Sequence, residues 1–237
     1  MLYVYCVTEE QVNSVDFARG IEQAPVESYE KDNLIVFLSR LERDTIGITR
    51  QNILTHDSVI RSVLEFTTPL PFRFSTLVSA ERLENFIGSR GPELCEKLRE
   101  IRGCVEMSVK VILEPGNPTS AQDDNVTLGK GAAFLLAKRR EILGDEKLTE
   151  SARQISDWVR TRLSAHFRAE EVVLRPSKKL VLSASHLVER ANIGAYQEAA
   201  RELMSARLDL HFLVSGPWAP YSFANIDLEF KTRFGVS

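Results

Sequence analysis

Apolar residues along this chain fall into two rhythms, and the switches between them predict the elements. Residues 2–7, Leu-Tyr-Val-Tyr-Cys-Val, are mostly β-branched or aromatic and predict a strand. Thr8-Glu9-Glu10-Gln11 fits a capping box and predicts a short helix to about Arg19. Residues 25–30 and 33–41 predict two strands around a turn at Lys31-Asp32-Asn33. Thr49 predicts the N-cap of a helix reaching about Phe66, with Ile53, Ile60, Val63 and Leu64 on one face. Residues 70–78 predict a further strand, whose start Pro69 and Pro71 confine to an edge or entry position. The order β-α-β-β-α-β is the ferredoxin-like arrangement.

A helical stripe follows Ser79, first through Leu83, Phe86 and Ile87 and then through Leu94, Leu98 and Ile101, with Gly88, Gly91 and Pro92 interrupting it. Residues 104–113 predict a strand, and the Pro, Gly, Asn, Asp and Ser content of 114–125 predicts a loop. Helices are expected over 128–143 and, capped by Thr149, over a stretch with Ile155, Trp158, Val159 and Leu163 on its stripe; the short break between them predicts an αα-hairpin. Strands at 171–175 and 180–188 flank Pro176-Ser177. Asn192 predicts the cap of a helix presenting Tyr196, Ala199, Ala200, Leu203 and Met204, and residues 208–215 predict the last strand. The fold class is therefore α+β in two domains. A ferredoxin-like domain spans 1–101, with bridging helices at 79–101. An α+β domain with an inserted helical hairpin spans 102–237.

The most constrained stretch is 216–223, Gly-Pro-Trp-Ala-Pro-Tyr-Ser-Phe. Its prolines fix φ, remove amide donors and push the preceding residues toward extended geometry. They predict a stiff ribbon carrying Trp218, Tyr221 and Phe223, used either as a structural clamp or as a contact surface.

Composition narrows the class. A chain of 237 residues with 43% hydrophobic and 27% charged content is that of an ordinary globular protein with a sizeable core. A net charge of −3 gives no global field for nucleic acid or anionic membrane. Three cysteines, Cys6, Cys95 and Cys104, are an odd number without a CxxC spacing, which fits a reducing compartment. The apolar start meets Thr8-Glu9-Glu10 too soon for a signal peptide or membrane span, so a cytoplasmic location is expected.

Chemistry is sparse. Gly129-Lys130-Gly131 lacks both the third glycine of a dinucleotide fingerprint and a P-loop lysine-hydroxyl pair, and suits close helix packing better. His56, His166, His186 and His211 show no metal-site spacing or nucleophile signature. Lys138-Arg139-Arg140 is a solvated helix face, or a docking site for an acidic partner as the minority reading. Alternation within 71–74 puts Phe72 and Phe74 on one sheet face with Arg73 opposite, a core face by default and an RNA-stacking platform as the alternative. No catalytic, metal or cofactor residues are assigned.

Several stretches together resemble the gas vesicle GvpF/GvpL family. They are Leu2-Tyr3-Val4-Tyr5, Leu70-Pro71-Phe72-Arg73-Phe74, Gly103-Cys104-Val105-Glu106 running into Val109-Lys110-Val111, Gly131-Ala132-Ala133-Phe134-Leu135 followed by Lys138, and the ribbon 216–223. Ser75 stands where the family usually has glycine, and Ala219 where proline is more typical. The resemblance implies two α+β domains and a non-enzymatic accessory protein of gas vesicles, a minor vesicle component needed for assembly. It implies binding to the small hydrophobic shell protein GvpA, limiting its aggregation during nucleation, with other gas vesicle accessory proteins as further candidate partners and no nucleic acid or membrane. Phe72, Phe74, Trp218, Tyr221 and Phe223 are the candidate contact residues. The competing reading is a small-molecule-binding regulator or enzyme on a ferredoxin-like scaffold.

Overall fold

The computed structural model describes residues 1–9, 17, 19–112, 149–175 and 181–224. Contacts divide the chain into two compact units, Met1–Glu106 together with the chain from Pro217 onward, and Met107–Gly216. The aromatic ribbon therefore groups with the first unit, whereas sequence patterning placed it in the second domain. The reason is local: Ala219 is 3% exposed and belongs to the first unit's core cluster.

The first unit is built on a sheet ordered β2-β3-β1-β4, with β5 also paired to β1. Its strands are β1 (Leu2–Thr8), β2 (Glu27–Lys31), β3 (Leu34–Arg40), β4 (Leu70–Pro71) and β5 (Leu77–Val78). The pairs β1–β3, β2–β3, β1–β4 and β1–β5 are all antiparallel, as the ferredoxin-like order requires. Every residue of β1 is buried, which its uncharged sequence permits. A register shift between Val4 and Cys6 bulges the strand, and Tyr3, Tyr5 and Cys6 all join one core cluster. Asp32 and Asn33, at φ 53° and 62°, form the two-residue turn between β2 and β3, a conformation that matches the twist of the flanking strands. The helix expected between Thr8 and Arg19 lies largely outside the described residues.

Helix α1 (Arg50–Leu64) starts where Thr49 Oγ1 accepts from the Asn52 N–H at 3.1 Å. It buries His56, Val59, Ile60, Val63 and Leu64. Ile53, expected on that stripe, is 44% exposed, so the buried face of α1 begins at His56. Helix α2 (Ala80–Ile101) is one continuous element, so Gly88, Gly91 and Pro92 do not break it. Its buried stripe, from Leu83 and Phe86 through Leu94 to Ile101, outweighs the single hydrogen bond that Pro92 removes.

The predicted strand 70–78 is a second correction. Its two ends, Leu70–Pro71 and Leu77–Val78, pair with β1 as separate short strands, and the chain turns between them at residues 74–75, with Ser75 at φ 66°. Phe72 and Phe74 consequently do not share a face. Phe72 packs on Phe86 of α2 with ring centroids 6.2 Å apart, and Phe74 meets His56 of α1 edge-on at 5.8 Å.

The second unit carries β6 (Cys104–Ile112, entering from the first unit), α3 (residues 149–163), β7 (Ala169–Arg175), β8 (Val181–Glu189), α4 (Ile193–Ala206) and β9 (His211–Trp218). Its sheet order is β7-β8-β6-β9, so both sheets run second, third, first, fourth in chain order, with β5 an additional strand on β1 of the first sheet. Thr149, the expected cap of α3, is already helical. Asn192 occupies the cap position of α4 without a side-chain bond. The last strand begins at His211 rather than 208, after a turn closed by Leu210 N–H donating to Arg207 O, and it continues through Pro217 to Trp218. The first helix of the expected hairpin, Lys138-Arg139-Arg140 and Gly129-Lys130-Gly131 lie outside the described residues.

Candidate partner-binding surface

The five candidate residues occupy different depths of the first unit. Phe72 is 2% exposed, and its amide donates to Tyr5 O at 2.8 Å. A ring so buried meets no partner without unfolding. Phe74 is half-buried and covers His56. That imidazole is held on both sides. Its Nε2 faces the Phe72 carbonyl at 3.2 Å and must donate, so Nδ1 accepts from the Tyr3 hydroxyl at 3.0 Å. The Tyr3 oxygen in turn accepts from Ser75 N–H at 3.2 Å. Burial holds His56 down to about 4, against a smaller upward pull from the Phe72 carbonyl, so the ring is neutral at pH 7.

The ribbon is tied down at three points. Ala219 enters the core. Ser222 donates its backbone N–H and its hydroxyl to the two oxygens of the buried Glu106 carboxylate, each at 2.8 Å. Trp218 lies under the Arg61 guanidinium, whose carbon is 4.2 Å from the ring centre, and Asp57 fixes that guanidinium at 2.7 Å. Tyr221 keeps 37% of its surface exposed, yet burial and then the neighbouring Asp57 push its phenol up. One side of the ring faces water while the hydroxyl end is withdrawn. Phe223 is half-buried. Helix α1 thus gathers Phe74, Trp218 and Tyr221, through His56, Arg61 and Asp57, while Phe72 gives α1 only its carbonyl and packs its ring on Phe86 of α2.

Exposed apolar side chains lie elsewhere too. Ile48, Ile53 and Leu54 sit at the start of α1, Phe66 follows its end, and Leu208 and Leu213 flank and occupy β9. Sequence pattern placed Ile53 in the core and gave no sign of exposure for the others, because periodicity reports a face but not what covers it. An open cleft beside the β2–β3 turn is walled by Glu9, Glu30, Lys31, Asp32 and Asn33, with Leu34 and Ile35 behind. Among the described residues no group of His, Cys, Asp and Glu is placed to hold a metal ion, and no helix is long and apolar enough to cross a membrane.

Residues 1–225 match the family model described as gas vesicle synthesis protein GvpL/GvpF. The chain belongs to the GvpL/GvpF family. Its relatives include gas vesicle protein F2 of Halobacterium salinarum, 26% identical over 235 residues that cover 96% of this chain and 93% of the relative. Gas vesicle protein L of a Streptomyces species is 27% identical over 188 residues, covering 72% and 68%. The crystal structure of GvpF from an Anabaena species superposes with a TM-score of 0.78 at 19% identity, covering 95% of this chain and 96% of that one. GvpF from Microcystis aeruginosa gives 0.77 at 20% identity, with 95% and 99% covered. At those identities the two structures establish the α+β fold, and the GvpL/GvpF family assignment rests on the sequence match.

Proposed function

We propose that this protein is a gas vesicle accessory factor that binds the hydrophobic shell protein GvpA and limits its aggregation while a vesicle nucleates. The observation that carries the proposal is the family match over residues 1–225, which spans both units. The physical task is to occupy sticky surface before shell subunits pair with one another uncontrolled. A protein suited to it needs a stable scaffold and exposed apolar or strand-edge surface rather than a closed catalytic cleft. The first unit's core, to which the ribbon is tied through Ala219 and Glu106, supplies the scaffold. Tyr221, Leu54 and Leu213 are among the exposed apolar groups available for contact.

The test is capture of purified GvpA by the full chain, with vesicle formation scored in a deletion strain. Capture together with loss of vesicles supports the proposal; no capture with normal vesicles overturns it. The double substitution Trp218→Ala, Tyr221→Ala separates clamp from contact. Lost capture at unchanged thermal stability assigns the ribbon to the partner, and a fall in stability with capture retained by the remaining folded protein assigns it to the scaffold.

A further inference from the structure

We propose that residues 219–224 are an autoinhibitory strap, which lifts from the first unit in a local opening and yields the seam between β1 and α1 to an apolar, extended segment of the partner. This rests on the proposed binding of a hydrophobic shell subunit, and it specifies which surface meets that subunit and what guards it. The cover of the seam belongs to the chain itself, in the residues that run on from the end of β9 at Trp218.

Ala219 is buried in the cluster that joins Tyr3 and Cys6 of β1 to Val59, Ile60 and Val63 of α1. Pro220 is buried beside it. The hydroxyl end of Tyr221 reaches the same seam, where Asp57, Cys6, Tyr3 and Arg61 act on it, while part of the ring stays in water. Lifting these residues uncovers mostly uncharged side chains that the closed fold keeps dry. What fits the seam is what the strap places there, an extended segment carrying a small apolar residue and a ring.

Two features make the strap releasable. The amides of Tyr221, Phe223 and Ala224 donate to Ala219 O, Pro220 O and Tyr221 O, so the strap keeps these bonds when it lifts as one piece. The amides of Val4 and Phe72, by contrast, donate across the sheet to Thr76 O and Tyr5 O. The second feature is the tie itself. Ser222 gives its N–H and its hydroxyl to Glu106, which is 7% exposed, and both of these donors are neutral. A carboxylate buried against neutral donors loses hydration that a cation would offset, and opening returns water to it. Closure therefore sets two charge-assisted hydrogen bonds against the dehydration of one charge.

Hydrogen exchange and capture of purified GvpA by the full chain test the strap. In the wild type, the amides of residues 221–224 should exchange about a hundredfold or more faster than those of Val4 and Phe72, because a local opening suffices to release them. Ser222→Ala leaves the buried carboxylate one donor. It should speed the Tyr221 and Phe223 amides by about tenfold and strengthen capture by about threefold or more, with Val4 and Phe72 unchanged within about twofold. Glu106→Gln keeps an acceptor for the Ser222 N–H and offers a donor to its hydroxyl, with no charge buried. It should slow the Ser222 amide and weaken capture, each by about threefold or more. A purely structural pair of hydrogen bonds would weaken in both variants. Ribbon amides that exchange at the rate of Val4 and Phe72, or two variants that shift exchange in the same direction, overturn the strap and leave the proposed function standing. Opposite exchange shifts with equal capture by the two variants overturn its inhibitory role. Absence of capture by both the wild type and Ser222→Ala overturns the proposed function, and exchange alone then decides whether the strap opens. If Ser222→Ala fails to fold, the wild type and Glu106→Gln decide.

Discussion

Each unit buries one histidine against one tyrosine, and the two pairs differ in what stands on the far side of the ring. In the first unit His56 accepts from Tyr3 at 3.0 Å and donates to a neutral carbonyl, that of Phe72. In the second, His186 accepts from Tyr196 at 2.7 Å and donates to the Glu170 carboxylate at 3.2 Å, with Phe167 stacked on the ring at 4.4 Å. Arg160 binds the other oxygen of Glu170. Both tautomers follow from the partners: the nitrogen facing an acceptor carries the proton, and the other takes the tyrosine O–H. Burial lowers both imidazoles, but only His186 has an anion beside it that favours the charged form. The same hydrogen-bonding solution is thus electrically insulated in one unit and connected to an ion pair in the other. The insulated pair is the one tied to the turn at 74–75 and to the core of β1, so disturbing it should cost more.

The largest effect should come from Phe72, whose carbonyl receives His56 and whose ring fills the space against Phe86. Phe72→Ala leaves a cavity in a core position and should destabilise the first unit by about 3–5 kcal/mol, read by urea unfolding. The comparison fails if Leu213→Ala, at a 58% exposed site of the second unit, costs as much; the expectation there is under about 1 kcal/mol.

Acid should come next. His56 has a folded pKa of about 4 against an ordinary 6.5. Between those values the unfolded chain binds the proton and the folded protein does not, so stability falls as pH drops from about 6.5 to about 4 and is level above that window for this group. The loss accumulates to roughly 3 kcal/mol. His56→Gln keeps one donor for the Phe72 carbonyl and one acceptor for Tyr3 but does not titrate, and should remove most of that slope. His186→Gln should remove less, because Glu170 offsets part of the burial effect. Equal slope changes in the two variants, measured by unfolding across pH 4–7, would show that the carboxylate makes no difference.

Gly20 tests how closely the tyrosines of β1 are approached. A Cβ there would lie 2.3 Å from Tyr5 Oη and 2.6 Å from Ser39 Oγ, atoms that bond each other at 3.0 Å, while Tyr5 Oη also accepts from Ile21 N–H at 2.9 Å. Gly20→Ala should therefore destabilise by about 2 kcal/mol, against the small gain expected where alanine fits. A neutral result would mean that the Tyr5 network is soft.

Much of this architecture was legible in the residues. The strand order of the first unit follows from the β-α-β-β-α-β pattern, the caps at Thr49 and Ser79 are where hydroxyls precede apolar stripes, and the Asp32-Asn33 turn is readable from its chemistry. Two of the errors, at Pro92 and at 70–78, share one physical cause. A local rule competed with a tertiary one and lost: the stripe of α2 overrode Pro92, and β1 pairs the two ends of 70–78 as separate short strands. The candidate surface was legible only in part. The ribbon's stiffness is written in its prolines, but its anchor on Glu106 lies 116 residues away in sequence and has no local signature. Nor does the pattern around Leu213 distinguish a covered strand from an outer one.

Ser75 offers the smallest effect and the opposite sign. It sits at φ 66°, a conformation that costs an L-residue about 1 kcal/mol, and its buried hydroxyl has no hydrogen-bond partner. Its amide, which bonds Tyr3, is unaffected by the side chain. Glycine at this position would remove both the backbone strain and the unsatisfied hydroxyl. Against that stand the extra freedom of glycine in the unfolded chain, roughly 0.5–1 kcal/mol, and the lost packing of one Cβ and one oxygen. Strain and the orphan hydroxyl together are the larger, so Ser75→Gly should stabilise the first unit by about 1 kcal/mol and leave the His56 slope with pH intact. A destabilisation of the same size would mean that the Ser75 side chain contributes packing the turn needs. The insulated His–Tyr pair would then depend on that side chain as well as on its backbone.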